Sequence, residues 1–529
     1  MRLLRKTLIL SHRYLGIVFS ALIVMWFVTG ITMMYVGGMP RLTPELRLER
    51  MDPLDVARVR LTPADAFERS GLAEPPSHTT LLAVAGHPAY RFGAGRDATV
   101  VFADTGEVAG ELTRAQTRET AARFMRVPVE NVRYVSTLRQ TDQWTLGLDR
   151  SLPLHKLEIE DGRGSVLYVS PLTGDAVMLT DTKTRAFAWV STIPHWLYFE
   201  ALRDRQVLWY RIVVWTSGIA TVIAVLGLAL GAIQYRRGRG SLAAGIPYSG
   251  WMRWHYATGM VFGVFTATWA FSGLLSMEPF EWTNARGVEV RGTALSGGRV
   301  DLSAYGRMDP AAWDRLLDGG AVKEVELARM QGEHYYVVRR TLDEGRDLGK
   351  RERLHQPYPV GGRVAPDRLI VSAATLEPRE RPFSPEEIVS RLTTAVPDVP
   401  VASYELLTEY DSYYYSRSSQ TPLPVVRIRF ADPAETWLYV DPEMNQVLAS
   451  IPRLARVERW LYNGLHSFDF GYLYTRPLWD IVLLVLLLGG LLSSGIGLYL
   501  GVRRVVRAAV KVLPGPSPAP ADPRTARLS

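Results

Sequence analysis

The sequence predicts an α-helical membrane protein with four transmembrane helices and two α+β regions that face water. Apolar segments without a charged residue recur four times, and each is as long as the ~20 residues that a helix needs to cross a bilayer. Two long polar regions separate them and contain β-branched runs, turn residues and helix starts. The apolar segments are Tyr14–Met39, Ile212–Tyr235, Tyr256–Met277 and Ile481–Val502.

Lys and Arg cluster before the first segment, between the second and third, and after the fourth. Such clusters mark the cytoplasmic side, so we expect both termini inside and both large regions outside. The first segment is too long for a signal peptide and is expected to remain as an anchor. The net charge of +8 partly reflects this topology and requires no nucleic acid partner to explain it.

The predicted divisions are 1–39 (cytoplasmic N-terminus and first helix), 40–188 (first outer region), 189–235 (outer-face histidine segment and second helix), 236–254 (cytoplasmic loop), 255–277 (third helix), 278–459 (second outer region), 460–502 (outer-face histidine segment and fourth helix) and 503–529 (cytoplasmic tail, partly disordered).

The outer regions contain hairpin and helix-start signals. The stretches "LYVSPLTGDAV" from Leu167 and "LYVDPEMNQVL" from Leu438 each predict two strands around a turn, and "VFADTGEVAG" from Val101 has the same pattern. Thr62 and Ser384 are predicted helix N-caps because each precedes Pro and an acidic residue.

The two halves of the chain predict a tandem repeat. When His12 is aligned with His255, shared residues follow at +4, +7, +14 and +18, which all lie on one helical face. The other two helices repeat as well, since Trp189 precedes His195 by six residues and Trp460 precedes His466 by six. Both halves have the same orientation, so a pseudo-two-fold axis along the membrane normal is expected. The aligned residues of the first and third helices are Gly16 and Gly259, Phe19 and Phe262, Trp26 and Trp269, and Gly30 and Gly273.

The four repeated histidines are the candidate ligands of a redox cofactor. The chain has no cysteine, which excludes disulfides, iron–sulfur clusters and covalently attached c-type haem. The topology puts His12 and His255 at the cytoplasmic face and His195 and His466 at the outer face. Across a two-fold axis each pair would bring two imidazoles face to face, as axial ligation of a haem iron requires. We therefore expect two b-type haems.

Other interpretations of these residues remain open. Each histidine is also compatible with interfacial hydrogen bonding, and a bare Zn or Cu ion would lack ligands beyond the two imidazoles. The shared Gly and Trp residues favour helix packing over cofactor contact. Four arginines near the histidines are candidate partners of haem propionates or plain interfacial anchors: Arg13, Arg253, Arg205 and Arg476.

A Tyr-rich stretch in the second outer region, "YDSYYYSR", is a candidate acceptor surface. Tyr413, Tyr415 and Arg417 would contact the acceptor, and Arg427 and Arg429 would attract an anionic one. The competing interpretation, which we favour slightly, is a strand pair with Tyr and Arg alternating on its solvent face.

The chain resembles a known family in the stretches "LSHRYLGIVFSALIVMWFVTGI", "TEYDSYYYSRSSQTPLPVVRIRF", "TWLYVDPEMNQVLAS" and "WLYNGLHSFDF". They resemble the PepSY-associated transmembrane proteins of bacterial inner membranes, which include ferric-siderophore reductases that carry haem between four helices. The resemblance implies PepSY-like α+β domains in the periplasm and a multi-pass protein of the inner membrane. It does not give the substrate of this chain.

The leading functional hypothesis is a haem-dependent ferric-chelate reductase. Electrons from a cytoplasmic or quinol donor would pass from the His12/His255 haem to the His195/His466 haem and then to a periplasmic ferric chelate such as a siderophore. No G-x-G-x-x-G fingerprint follows a predicted strand, so the donor would be a separate partner. Two alternatives are a non-enzymatic envelope protein that binds or regulates through PepSY-like domains, and a transporter of the chelate.

Overall fold

A computed structural model describes residues 2–36, 38–236, 241, 243–283, 287–290, 292–317, 321–340, 367–415, 421–473 and 476–512. The chain divides into two compact units. The membrane unit comprises residues 1–31, 210–277 and 477–529, and the outer unit comprises residues 32–209 and 278–476.

The described residues include four helices that are long and apolar enough to cross a membrane, in agreement with the prediction of a membrane protein. The helices differ from the apolar segments at their ends, because hydropathy marks the part that suits a bilayer whereas Leu, Arg and Lys continue a helix into water. The first helix therefore begins twelve residues before Tyr14, at Arg2, and it ends at Met33 instead of the predicted Met39. The four helices are Arg2–Met33, Gln206–Gln234, Gly250–Leu275 and Leu478–Val512.

Glycines in the fourth helix allow aromatic side chains of its neighbours to approach its backbone. A Cβ at Gly489 would overlap the ring of Phe262, and a Cβ at Gly490 would overlap the ring of Phe27. Phe27 also packs edge-on against Trp269, with ring centroids 5.8 Å apart. The contact of Trp269 agrees with the helix-packing interpretation of the shared Trp residues.

The described part of the outer unit contains three antiparallel sheets, in agreement with the α+β prediction. One sheet has six strands in the order β10-β9-β8-β1-β2-β3, and two have four strands in the orders β4-β5-β6-β7 and β11-β12-β13-β14. The strands are β1 Thr79–Val84, β2 His87–Phe92, β3 Thr99–Phe102, β4 Val132–Leu138, β5 Leu154–Ile159, β6 Ser165–Val169, β7 Ala176–Thr180, β8 Val322–Met330, β9 Glu333–Arg340, β10 Asp367–Ser372, β11 Val401–Leu407, β12 Val425–Phe430, β13 Trp437–Asp441 and β14 Gln446–Ile451.

The six-stranded sheet is built from both halves of the chain. Strand β1 pairs with β8, with Thr79 opposite Leu327. A shared core lies against this sheet and includes Leu81 and Val325. Glu324 on β8 is buried and forms ion pairs with two arginines, Arg47 at 2.9 Å and Arg339 at 2.7 Å. The two outer regions, which the sequence presents as separate stretches, are therefore joined by hydrogen bonds, apolar packing and charge.

Each four-stranded sheet packs against one preceding helix. Arg114–Met125 covers β4–β7, and Pro385–Ala395 covers β11–β14. The predicted N-caps are confirmed, since Thr62 and Ser384 both form capping boxes. The hairpins predicted from Leu167 and Leu438 are also confirmed, as β6–β7 and β13–β14, and Val101 bridges Val108 in the third.

Short helices complete the described part of the chain. The α-helices are Pro44–Arg50, Pro63–Ser70, Arg114–Met125, Thr182–Val190, Thr192–Trp196, Glu200–Arg203, Gly292–Ser296, Pro310–Leu317, Pro385–Ala395, Arg453–Arg459 and Leu465–Ser467; a π-helix spans Trp460–Gly464; and 3₁₀ turns span Val56–Arg58, Gly95–Asp97, Val129–Asn131, Asp149–Ser151, Ala243–Gly245, Pro279–Glu281 and Leu302–Ala304.

Candidate functional site

In the membrane unit, His12 and His255 face each other. His12 lies on the first membrane helix and His255 on the third, and both are partly buried. Their ring centroids are 6.3 Å apart and their planes differ by 31°. The structure thus brings together the two residues that the repeat aligns. We call them the inner pair.

Each ring of the inner pair is held by a backbone carbonyl of another membrane helix. His12 Nδ1 lies 3.0 Å from the carbonyl oxygen of Ile223, and His255 Nδ1 lies 3.1 Å from that of Ser493. A carbonyl only accepts hydrogen bonds, so each Nδ1 must carry the proton. In the neutral ring the lone pair is then on Nε2. Metal-bound histidines generally donate their other N–H to a carboxylate, a backbone carbonyl or a water molecule.

A glycine opens the helix surface beside each of these carbonyls. Gly227 lies four residues after Ile223, and a Cβ there would stand 2.8 Å from His12 Cε1. Gly497 lies four residues after Ser493, and a Cβ there would stand 3.1 Å from His255 Cε1. Both distances are too short for comfortable packing. These glycines therefore let the imidazoles reach the carbonyls.

The glycines one turn after the inner histidines lie in a more open setting. A Cβ at Gly16 would meet no atom within 4 Å, and one at Gly259 would meet only Ser493 Oγ, at 3.5 Å. Helix packing therefore does not require Gly16, contrary to the interpretation favoured by the sequence. The open side of Gly16 leaves room for a flat group.

In the outer unit, His195 and His466 form a second pair, the outer pair. Their ring centroids are also 6.3 Å apart, with planes at 75°. His195 lies in the short helix Thr192–Trp196, and His466 lies in the turn that follows the π-helix. Each of these helices ends one residue after its histidine, and the residues that follow, Leu197 and Phe468, both adopt left-handed conformations. Such strained non-glycine residues are concentrated at functional sites.

The separation of both pairs fits two imidazoles that share one iron. A metal–imidazole bond measures about 2.0–2.1 Å, and the centroid of a five-membered ring with bonds of about 1.35 Å lies about 1.15 Å from its atoms. Rings on opposite sides of one metal therefore have centroids about 6.3 Å apart. Rotation of either ring about the bond axis leaves this distance unchanged, so the angles of 31° and 75° both fit.

Two alternatives explain less of this geometry. Simple ring packing also occurs at 4.5–7 Å, but it gives no reason for the same separation of 6.3 Å in both pairs. A structural zinc ion needs four ligands. Across the part of the chain that the structure describes, no group of three or more His, Cys, Asp or Glu side chains is placed to hold a metal ion.

The four candidate arginines have different surroundings. Arg476 donates to the carbonyl of Met34 at 3.1 Å, and Arg253 donates to the carbonyl of Ala243 at 3.3 Å. Arg205 is exposed, whereas Arg13 lines a cavity of about 340 Å³ together with four other residues of the first helix, Arg5, Lys6, Ile9 and Leu10. Of the four, Arg13 is directly next to a paired histidine in the sequence, and the space beside it is an open depression on the surface of the first helix.

The described part of the Tyr-rich stretch, residues 410–415, follows β11 and lies in no strand, so the favoured prediction of a strand pair is wrong for these residues. Its side chains are held by local contacts that alternation along a strand does not reveal. Tyr413 Oη accepts a hydrogen bond from Trp460 Nε1 at 3.2 Å, and Tyr415 Oη donates to Asp469 Oδ2 at 2.6 Å. Arg417 lies outside the described residues. Tyr413 and Tyr415 thus contact the segment that carries His466.

The nearby arginines of β12 are also engaged. Arg427 pairs with Glu405 and Asp411 and is only 11% exposed, whereas Arg429 is 39% exposed and pairs with Glu405 at 3.5 Å. Arg427 is therefore a structural residue, and Arg429 retains more contact with solvent.

Sequence reasoning missed Gly227 and Gly497, although a signal was present. Gly227 follows Trp209 by eighteen residues, and Gly497 follows Trp479 by eighteen. The alignment of the second and fourth helices by their tryptophans would have paired the glycines. Their role could not follow from that alignment, because it depends on which helices are neighbours.

The family model described as the PepSY-associated TM region matches residues 9–504. That range includes all four paired histidines. No curated protein matches the chain.

Proposed function

From the premise that the chain belongs to the PepSY-associated TM region family, we propose that it is a transmembrane b-type dihaem electron-transfer protein. Its acceptor is a ferric chelate, such as a siderophore, on the periplasmic side of a bacterial inner membrane. One observation carries the proposal: both histidine pairs have the centroid separation of two imidazoles on one iron.

Matched contacts support the tandem repeat and pseudo-two-fold that the proposal assumes. His12 Nδ1 donates to the backbone carbonyl of Ile223, and His255 Nδ1 donates to the backbone carbonyl of Ser493. Gly227 and Gly497 occupy the same place beside the two rings. An interval of 243 residues separates the histidines, and one of 270 residues separates both the carbonyls and the glycines. The offset of four residues from the carbonyl to the glycine is the same in both helices, as is expected when one structural unit occurs twice.

The protein residues prepare each inner imidazole for coordination. The carbonyls of Ile223 and Ser493 hold the proton on Nδ1, so Nε2 keeps its lone pair and the ring keeps one orientation. A ligand that is already oriented loses less freedom on binding. Bound haem would supply one-electron oxidation and reduction.

The direction of electron flow follows from the predicted topology. The sequence puts the inner pair near the cytoplasm and the outer pair near the periplasm, so the donor is a cytoplasmic protein or a membrane quinol. One electron converts a ferric chelate to the ferrous chelate. Ferrous iron is a softer ion and is held less tightly by hard oxygen ligands, so the metal is released.

Spectroscopy of the purified protein tests the proposal. Reduced-minus-oxidised difference spectra and a haem assay on the protein in detergent should give two low-spin b-type haems per chain. His12→Ala and His466→Ala should each remove one of them, whereas His78→Ala, at an exposed position in the outer unit, should remove none. A colourless protein from haem-replete cells would refute the proposal and favour the alternative of a binding or regulatory protein.

A further inference from the structure

Two partly buried aspartates in the outer unit organise matching turns. Asp142 Oδ2 accepts hydrogen bonds from Lys156 at 2.8 Å and Tyr168 at 2.9 Å. Its Oδ1 accepts hydrogen bonds from the backbone N–H groups of the residues two and three positions later. Asp411 Oδ2 likewise accepts from Arg427 and, at 2.8 Å, from Tyr439. Its Oδ1 also accepts the N–H groups two and three residues later. Each carboxylate thus fixes one loop to a four-stranded sheet.

In the first half, the residue after the aspartate reaches the segment that carries His195. Gln143 Nε2 donates to the carbonyl of Tyr198 at 2.8 Å, and its Oε1 accepts from the N–H of Glu200 at 2.9 Å. Tyr198 lies three residues after His195. The Gln143 side chain is only 8% exposed, so it holds the chain on both sides of residue 199 without competition from solvent.

In the second half, an arginine makes the equivalent contact. Arg459 Nη1 donates to the carbonyl of Asp469 at 2.8 Å, and its Nε donates to the carbonyl of Ser412, the residue after Asp411, at 2.8 Å. Asp469 lies three residues after His466. Its carboxylate also pairs with Arg459 at 3.5 Å. The carbonyl three residues after each outer histidine is therefore bonded to a buried side chain, although the two side chains differ.

We infer that Gln143 and Arg459 are positioning residues that hold the two histidine segments so that His195 and His466 face each other. The aspartate-centred turns anchor both contacts to the sheets, so the spacing of the outer pair is set by the outer unit. This inference deepens the proposed function and rests on it for the role of the pair, but the claim about spacing concerns the protein alone.

Thiol cross-linking measures this spacing without a cofactor. The chain has no cysteine, so His195→Cys combined with His466→Cys gives one reactive pair, which a short bifunctional thiol reagent can join. Gln143→Glu, which keeps the acceptor for Glu200 N–H but loses the donor to Tyr198, should slow cross-linking about ten-fold, the factor expected for the loss of one buried hydrogen bond. Arg459→Lys should act similarly, since Lys keeps the charge beside Asp469 but cannot donate to both carbonyls.

The matched control is Arg453→Lys, in the same short helix as Arg459. Its side chain is 60% exposed and pairs with Glu435, so cross-linking should proceed at the parental rate. Equal rates in the Gln143, Arg459 and control variants would overturn the inference.

A second readout connects the spacing to the cofactor. In the chain with its histidines, Gln143→Glu and Arg459→Lys should shift the midpoint potential of the haem that His466→Ala removes and leave the other unchanged. Slower cross-linking without this shift would overturn the positioning role at a haem site. Slower cross-linking in a protein that binds no haem would instead refute the proposed function and leave the inference on spacing intact.

Discussion

His12 lies so close to Gly227 that a Cβ at residue 227 would stand 2.8 Å from His12 Cε1. Gly227→Ala should therefore push the imidazole away from the carbonyl of Ile223 and lower the occupancy of the inner haem. Gly497→Ala should do the same to His255, but less strongly, because its Cβ would stand at 3.1 Å. Haem stoichiometry and the spectrum of the inner haem measure both effects.

Glycines in the same two helices provide the controls. A Cβ at Gly218 or Gly495 would meet no atom within 4 Å, so Gly218→Ala and Gly495→Ala should leave both haems in place. If they perturb the inner haem as much as Gly227→Ala does, the effect comes from helix properties and not from contact with the ring.

Removal of the Ser493 hydroxyl should have little effect on the inner pair. The acceptor of His255 Nδ1 is the backbone carbonyl of Ser493, 3.1 Å away, and Ser493→Ala preserves that carbonyl. The midpoint potential of the inner haem should match that of the unmodified protein within error, whereas Gly497→Ala should change it. A large shift in Ser493→Ala would show that the hydroxyl acts on the ring or the cofactor directly.

The stability of the outer unit should fall in mild acid because of His155. Burial lowers the pKa of His155, nearby Arg114 lowers it further, and Glu111 opposes them. The Thr117 hydroxyl donates its proton to the carbonyl of Thr113. It therefore accepts a hydrogen bond from His155 Nδ1, which lies 2.8 Å from Thr117 Oγ1. A pKa below the unfolded value of about 6.5 means that the unfolded chain binds the proton first.

Neutral His155 stabilises the folded state, and its protonation in acid removes this stabilisation. The contribution of His155 is fully present above pH 6.5 and is lost as the pH falls from there to the lower folded pKa. Thermal unfolding between pH 8 and pH 5 should therefore show a smaller decrease for His155→Asn, which keeps a donor for Thr117, than for the unmodified protein. Parallel pH profiles would contradict this assignment.

Glu324 should be among the most sensitive positions of the six-stranded sheet. Its side chain is 4% exposed and forms ion pairs with Arg47 and Arg339. Glu324→Leu removes the shared partner of two guanidinium groups, which keep Asp175 and Glu326 as partners, and should lower the free energy of unfolding by about 1.5–3 kcal/mol. The control is Glu74→Leu, since Glu74 is 75% exposed and pairs only with the exposed Arg299. Thermal unfolding in detergent distinguishes the two.

Local patterns were sufficient to predict the helices, the caps and the histidine pairs. Four long charge-free runs predicted the four membrane helices, and Thr62 and Ser384 predicted the starts of two others, because these signals depend on residues close together in the chain. The recurrence of His12 at His255, and of His195 at His466, also predicted which rings would meet.

The remaining features depend on contacts between distant parts of the chain. The pairing of β1 with β8 joins residues about 250 apart, and nothing in either strand specifies its partner. The Tyr-rich loop was misread because its conformation depends on Asp411 and Trp460 and not on alternation. The acceptors of His12 and His255 could not be predicted either, because they are backbone carbonyls and every residue has one.

The pairing of β1 with β8 also constrains the order in which the protein can fold during synthesis. The β1–β3 hairpins leave the ribosome first, but the neighbour of β1 follows only after two further membrane helices have been made. Until then, one edge of β1 exposes unpaired N–H and C=O groups that other chains can bind. A truncated first half would keep this edge permanently, so we expect it to aggregate or require a chaperone, whereas co-expression with the second half should rescue it.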